Sequence, residues 1–208
     1  MKINLKKSKV IFFNPQNRTI DFKPTVKLNG ELLEIVEKMR LVGLIISDDL
    51  KWNENTDNIV KRAYAKIWIL RRLKQMGAET SILLLIYYRH IRSILEFAVP
   101  VWNGGITKKQ EQKIETVQRV ALCVIYGKGL SYKEKCKKYN IEKLKLRRKK
   151  LCLNFAKKAL MHNKFNDWFI KDENFTKKTQ FLEVVSSQKR MQKSPIPYLT
   201  KLLNENNR

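Results

Sequence analysis

The spacing of apolar residues changes once along this chain, near Asn53, and that change sets the class of fold open to it. Before Asn53 the apolar residues fall in short runs, as in strands. After it they recur every three or four positions, as on a helix. Val10–Phe13 reads as a first strand. Val26–Leu28 and Leu32–Val36 flank Asn29-Gly30, a dipeptide suited to a type I′ hairpin because both turn residues need positive φ. Leu41–Ile46 is an unbroken apolar run and reads as a strand buried on both faces. Pro15 and Pro24 bracket a loop.

In the helical part, Asn53, Asn55 or Thr56 is placed to cap a first helix. Its apolar stripe is Val60, Ala63, Ile67 and Leu70, with Lys61, Arg62, Lys66 and Arg72 largely off it. Met76-Gly77 ends that helix. A second helix, about 79–97, is apolar nearly all round and so reads as buried. Thr107 with Gln110 forms a capping-box pattern for a third helix reaching about Tyr126, and Ser131 with Glu134 repeats it for a short fourth. A fifth, about 142–162, carries Leu144, Leu151, Phe155 and Ala159 within a basic surface. The spacing predicts an α+β fold: a small antiparallel sheet at the N-terminus, then a mostly α-helical bundle. Four regions follow: 1–52 (β), 53–105 (helical), 106–162 (basic, helical) and 163–208, a weakly structured basic tail containing Pro195 and Pro197.

Charge narrows the partner. The net charge is +25, and residues 106–208 carry 26 basic against 9 acidic side chains. Such an excess repels itself and attracts polyanions, and phosphates bound by Lys or Arg release condensed counterions. Nucleic acid is therefore the expected partner. Three cysteines with no C-x-x-C pair fit a reducing, intracellular compartment, nuclear or cytoplasmic. The longest apolar run, Ile82–Tyr88, is far short of a membrane span, so no membrane partner is expected. Two distant histidines, His90 and His162, give no zinc pattern, and no metal site is expected.

Asp48-Asp49 resembles the paired carboxylates with which polymerases hold two cations, but Ile46-Ser47 precede it where an aromatic and a spacer are needed. Asp21 is poorly placed as a third ligand. The pair is read as a strand end leading into the first helix, and no catalytic residue is assigned. Of the tryptophans, Trp52, Trp68 and Trp102 have the chemistry to stack on bases. Trp68, one residue off the Ile67 stripe, is read as core, and Trp102 as closing the helical core. Glu96 is read as the ion-pair partner of Arg92, four residues before it. Arg147-Arg148-Lys149-Lys150 is read as a phosphate-binding face that positions nucleic acid without reading its sequence.

The order of segments resembles the C-terminal part of the reverse transcriptase of jockey-like non-LTR retrotransposons. Asn4-Leu-Lys-Lys7-Ser8-Lys9-Val-Ile-Phe-Phe13 is similar to the strand after that family's catalytic hairpin. Leu28-Asn-Gly30 and Leu41-Val-Gly43 through Trp52 look like its palm-edge and primer-grip region. Ile67–Lys74 resembles the first thumb helix, and Ile91–Trp102 the next with its exit. Ile114–Ala121 and Arg147–Ala159 resemble the helices that follow. The likeness implies palm edge over 1–52 and thumb over 53–105. It also implies that the family's aromatic-x-Asp-Asp hairpin precedes Met1, so that this chain is a fragment that does not polymerise alone. Magnesium would serve the parent enzyme, and no cofactor is expected in this chain. Primer–template contacts are expected from Lys7, Lys9, Lys61, Arg62, Arg71, Arg72, Arg147, Arg148, Lys149 and Lys150. Two other readings stay open: a stand-alone basic RNA- or DNA-binding module, and a helical interaction protein whose lysines reflect codon bias. The oligomeric state is left undetermined.

Overall fold

The computed structural model describes residues 4, 8–13, 25–176, 179–183 and 189–206. They form an α+β protein, helical for the most part, with a few small strand pairs. The chain divides into two compact units, Met1–Asp57 and Asn58–Arg208.

The first unit is built from β1 (Lys9–Val10), β2 (Lys27–Leu28), β3 (Glu31–Leu32), β4 (Glu34–Ile35), β5 (Lys38–Leu41) and β6 (Leu44–Ser47). These are paired in twos and do not join one antiparallel sheet. β1 lies parallel to β4, with Lys9 opposite Glu34 and Val10 opposite Ile35. β2 and β3 form the expected hairpin, with Asn29 at φ 52° and Gly30 at φ 83°. The run Leu41–Ile46 is not one strand. Val42 (φ 46°) and Gly43 (φ 87°) turn it back on itself, so that β5 and β6 pair through Leu41 and Leu44. A β-branched residue is strained at positive φ, which is why Val-Gly gives no turn signal in the sequence. Leu44 is buried, while Val42 at the tip is 84% exposed. The loop bracketed by Pro15 and Pro24 lies outside the described residues.

Helix α1 (Asn53–Gln75) takes the three expected capping residues, Asn53, Asn55 and Thr56, into its first turn, and Trp52, whose carbonyl accepts from the Thr56 N–H at 2.9 Å, precedes it. In the second unit it buries Ile59, Ala63, Ile67 and Leu70, one position off the expected stripe at its start. Gly77 (φ 82°) ends it, and Lys74 Nζ donates to the Ile125 carbonyl at 2.7 Å. That carbonyl belongs to the last turn of α5 (Lys108–Tyr126), where a cation complements the helix dipole. Between them come α2 (Thr80–Ile86), a π-helical turn Tyr87–Arg92, α3 (Ser93–Glu96) and α4 (Val99–Trp102). This stretch is amphipathic and not buried all round. Leu83, Tyr87, Ile91 and Leu95 face inward, while Ile82, Leu85 and Phe97 are exposed. Trp102 is fully buried and donates its indole N–H to the Phe97 carbonyl at 2.8 Å.

Both capping boxes form as the sequence predicts. Thr107 and Gln110 exchange hydrogen bonds at the start of α5, and Ser131 and Glu134 do so at the start of α6 (Tyr132–Lys138). α7 (Leu144–Leu160) has a buried face of Leu144, Arg148, Cys152, Ala156 and Ala159. Of the four apolar residues expected along this helix, Leu144 and Ala159 lie on that face, and Leu151 and Phe155 flank it. The apolar pattern finds only part of the face because a buried arginine occupies its second turn.

The described residues after His162 form regular elements and not a loose tail. A 3-10 helix (Asn163–Trp168) leads to β7 (Lys171–Thr176) and β8 (Thr179–Phe181), an antiparallel pair, then α8 (Lys189–Gln192) and α9 (Pro195–Asn206). Pro195 opens α9, where a missing N–H costs nothing. Leu199, Leu202 and Leu203 bury its inner face, and α9 packs on α7. Asn204 fixes β8 to α9: its Oδ1 accepts from the Gln180 and Phe181 N–H groups, each at 3.1 Å, and its Nδ2 donates to the Phe181 carbonyl at 2.9 Å.

Candidate nucleic-acid interface

The outer face of α1 follows from its inner one. With Ala63, Ile67 and Leu70 turned inward, roughly 100° per residue brings Lys61, Trp68 and Arg72 onto one outward line. Tyr64 and Arg71 lie on one flank, Arg62 and Lys66 on the other. Trp68 is 61% exposed, so the expectation that it packs in the core is corrected. Ile67 at i−1 and Leu70 at i+2 carry the apolar stripe, and the indole is left over. Arg72 Cζ stands 5.6 Å from the Trp68 ring centre, a cation–π contact on an open surface. Among the described residues, Lys61, Arg62, Lys66 and Arg71 make no ion pair.

A second basic surface is a groove of about 440 Å³ lined by Tyr88, Arg92, Asn140, Ile141, Glu142, Arg147 and Lys150. The π-helical turn brings Tyr88 and Arg92 to it, with the Arg92 guanidinium 4.1 Å from the Tyr88 ring centre. Such turns are frequent at functional positions because the extra residue re-aims the side chains.

The four cations Arg147–Lys150 do not form one face. Arg147 binds Glu96 through two hydrogen bonds, Nε to Oε1 at 2.6 Å and Nη2 to Oε2 at 3.1 Å. That carboxylate raises the Arg147 pKa. Arg92, the partner expected for Glu96, sits farther off at 3.9 Å. Arg148 is fully buried: its Nε donates to Asn103 Oδ1 at 3.0 Å and its Nη2 lies 3.7 Å from Glu111 Oε1. Burial pushes its pKa down against the nearby carboxylates. Lys149 pairs with Glu205 at 2.7 Å and Lys150 with Glu142 at 2.6 Å. Lys9 is likewise held, by Glu34 at 2.9 Å. Lys7 lies outside the described residues.

A polar network holds α7 at the groove. Tyr87 donates to Gln118 Oε1, and Gln118 Nε2 donates to the Tyr132 hydroxyl at 2.8 Å and to the Glu142 carbonyl at 3.1 Å. Tyr132 in turn donates to Glu115 Oε1. Burial and this carboxylate raise the Tyr132 pKa, and burial raises that of Tyr87. Glu115 Oε1 and Oε2 also accept from the first two N–H groups of α7, Leu144 at 3.2 Å and Lys145 at 3.1 Å.

Asp48 and Asp49 stand at the end of β6, on the approach to α1. Asp49 Oδ1 accepts from Ser47 Oγ (2.7 Å) and the Lys51 N–H (2.9 Å), and Oδ2 pairs with Lys51 Nζ at 2.8 Å. Burial would raise the Asp49 pKa, but bonds from Lys51 and Ser47 outweigh it and hold the carboxyl at about 2. The pair organises a turn in which Leu50 takes φ 52°.

Sequence reasoning missed Tyr64, Trp68, Tyr88 and Arg92 as surface groups. The signal for the first two was present: Tyr64, Trp68 and Arg72 form an i, i+4, i+8 ladder off the apolar stripe. No signal marked the π-helical turn. Among the described residues no helix is long and apolar enough to cross a membrane. Comparisons with family models, curated proteins and solved structures find no match to this chain.

Proposed function

We propose that this chain binds nucleic acid through the outer face of α1, as a thumb-like part of a jockey-like non-LTR reverse transcriptase. The observation that carries the reading is Trp68, an exposed indole among five cations, Lys61, Arg62, Lys66, Arg71 and Arg72. Nonspecific binders of single strands use that combination: a ring on which any base can stack, and cations that follow the phosphates. The ordered sequence resemblance supports placing this surface on a primer–template. The groove at Tyr88, Arg92, Arg147 and Lys150 is a secondary contact in this reading, since Glu96 and Glu142 already offset part of its charge.

The test is fluorescence anisotropy with a labelled single strand and a labelled primer–template. Five phosphate contacts should weaken single-strand binding about a hundredfold between 50 and 200 mM salt. Trp68→Ala should cost a further factor of about 5 to 150 while leaving the thermal midpoint unchanged. A salt-independent affinity, or a Trp68→Ala variant that binds as the native chain does, refutes the reading. A helical interaction module is the second reading. It is favoured by Met76, Ile82 and Leu85, which are exposed and apolar, and an acidic peptide that displaces the single strand would support it.

A further inference from the structure

We propose that Cys123 and Lys135 are a reversible modification site, joined by a sulfur–nitrogen bond when the chain meets a hydroperoxide. Lys135 is 1% exposed, and its Nζ meets Cys123 Sγ at 3.2 Å. Among the described residues that sulfur is the one hydrogen-bond partner of the lysine nitrogen. A lysine taken out of water normally ends on a carboxylate or on several oxygens, because its three N–H groups need strong acceptors. Here a weak acceptor, a sulfur, stands in that place. Both groups are held. Cys123 lies in the last turn of α5, where its carbonyl accepts from Gly127 N–H at 3.0 Å. Lys135 lies in α6, whose start is fixed by the Ser131–Glu134 box. The arrangement keeps a nitrogen in contact with a sulfur that is itself only partly buried, so a small oxidant can reach the sulfur from solvent.

The chemistry balances with hydrogen peroxide as the named oxidant. The Cys123 sulfur attacks one peroxide oxygen; an S–O bond forms, the O–O bond breaks, sulfur loses two electrons and one water leaves. Lys135, after its ammonium gives one proton to solvent, attacks that sulfur as the amine. An S–N bond forms, the S–O bond breaks, and the departing oxygen leaves as a second water with a proton from nitrogen. Thiol, amine and peroxide thus give a sulfenamide and two waters. A dithiol reverses it by attacking the sulfur and returning the amine. The other two thiols are worse placed. Cys152 is buried, which pushes its thiol up to about 12, and burial also raises Cys136.

The experiment treats the folded full-length chain with a few equivalents of hydrogen peroxide and follows intact mass and tryptic peptides without reductant. The expected product is ~2 Da lighter, resists trypsin at Lys135, yields a peptide pair joined through Cys123 and Lys135, and reverts with dithiothreitol. The link should persist in Cys136→Ser and be absent from Cys123→Ser and Lys135→Met. A gain of ~16 or ~32 Da on Cys123 with normal cleavage at Lys135 overturns the proposal. So does a mass loss that maps to a Cys123–Cys136 disulfide and disappears in Cys136→Ser. The native chain and Cys136→Ser decide the matter even if Lys135→Met fails to fold.

Discussion

Replacing Glu115 by alanine should unfasten the start of α7. Lys143, at the N-cap position, supplies no side-chain cap, and Glu115 reaches across from α5 to do so. The substitution removes two charge-assisted bonds to the Leu144 and Lys145 N–H groups, and leaves the Tyr132 hydroxyl without its acceptor. Loss of a cap costs about 1 kcal/mol. Stranding a part-buried hydroxyl donor costs about 1–3 kcal/mol. A total of about 3 kcal/mol lowers the midpoint of a chain this size by roughly 6–12 °C. Thermal unfolding followed by near-UV circular dichroism reads it, since Tyr132 and Trp102 report on the helical unit. Glu115→Gln keeps one acceptor without the charge and should fall about midway. In a double-mutant cycle with Tyr132→Phe, the two losses should overlap by about 1 kcal/mol or more. A shift below ~2 °C for Glu115→Ala, or strict additivity with Tyr132→Phe, would refute the assignment of Glu115 as the cap of α7.

Three further expectations rest on other parts of the fold. A Cβ at Gly104 would come within 2.7 Å of the Lys193 carbonyl oxygen and of Tyr198 Cγ. Gly104→Ala should therefore cost about 1–3 kcal/mol and speed tryptic cleavage in α9, with unaltered proteolysis as the contrary result. Asp49 titrates at about 2 when folded against 3.8 otherwise, so its contribution is present above pH 3.8 and fades as pH falls through 2. After allowance for solvent screening this is about 1 kcal/mol, and the stability gap between the native chain and Asp49→Asn should close over that window in urea titrations. Val42→Asn should stabilise the β5–β6 hairpin by about 1 kcal/mol, because asparagine tolerates positive φ and Asn-Gly suits this turn. Slower hydrogen exchange at the β5–β6 amides would show it, and faster exchange would count against strain at Val42.

Much of the helical order was written in local signals. Thr107, Gln110, Ser131 and Glu134 announce two helix starts through chemistry confined to four residues, and Gly77 and Gly127 mark ends in the same way. What failed depends on partners distant along the chain. Arg148 is invisible as a core residue until Asn103, 45 positions earlier, is seen to receive its Nε. Trp68 was read as core from its neighbour Ile67, though a helix turns by roughly 100° per residue and parts the two. Residues 163–208 looked loose because Pro195 and Pro197 read as breakers, whereas a proline at a helix start is a beginning. Val42-Gly43 was hidden inside an apolar run, since nothing local tells a hydrophobic turn from a hydrophobic strand. The basic run 147–150 was visible as charge, but its carboxylate partners were not.

That basic run changes how any charge-removal experiment on this chain must be interpreted. Its side chains leave the helix in different directions and fasten α7 to Glu96, Glu111, Glu142 and Glu205, a spoke to each. Glutamines placed there would register as weaker retention on a phosphate column even if no phosphate ever touched them, because the frame would come apart first. Neutralising Lys61, Arg62 and Arg71 instead strips charge from the surface and leaves every spoke attached.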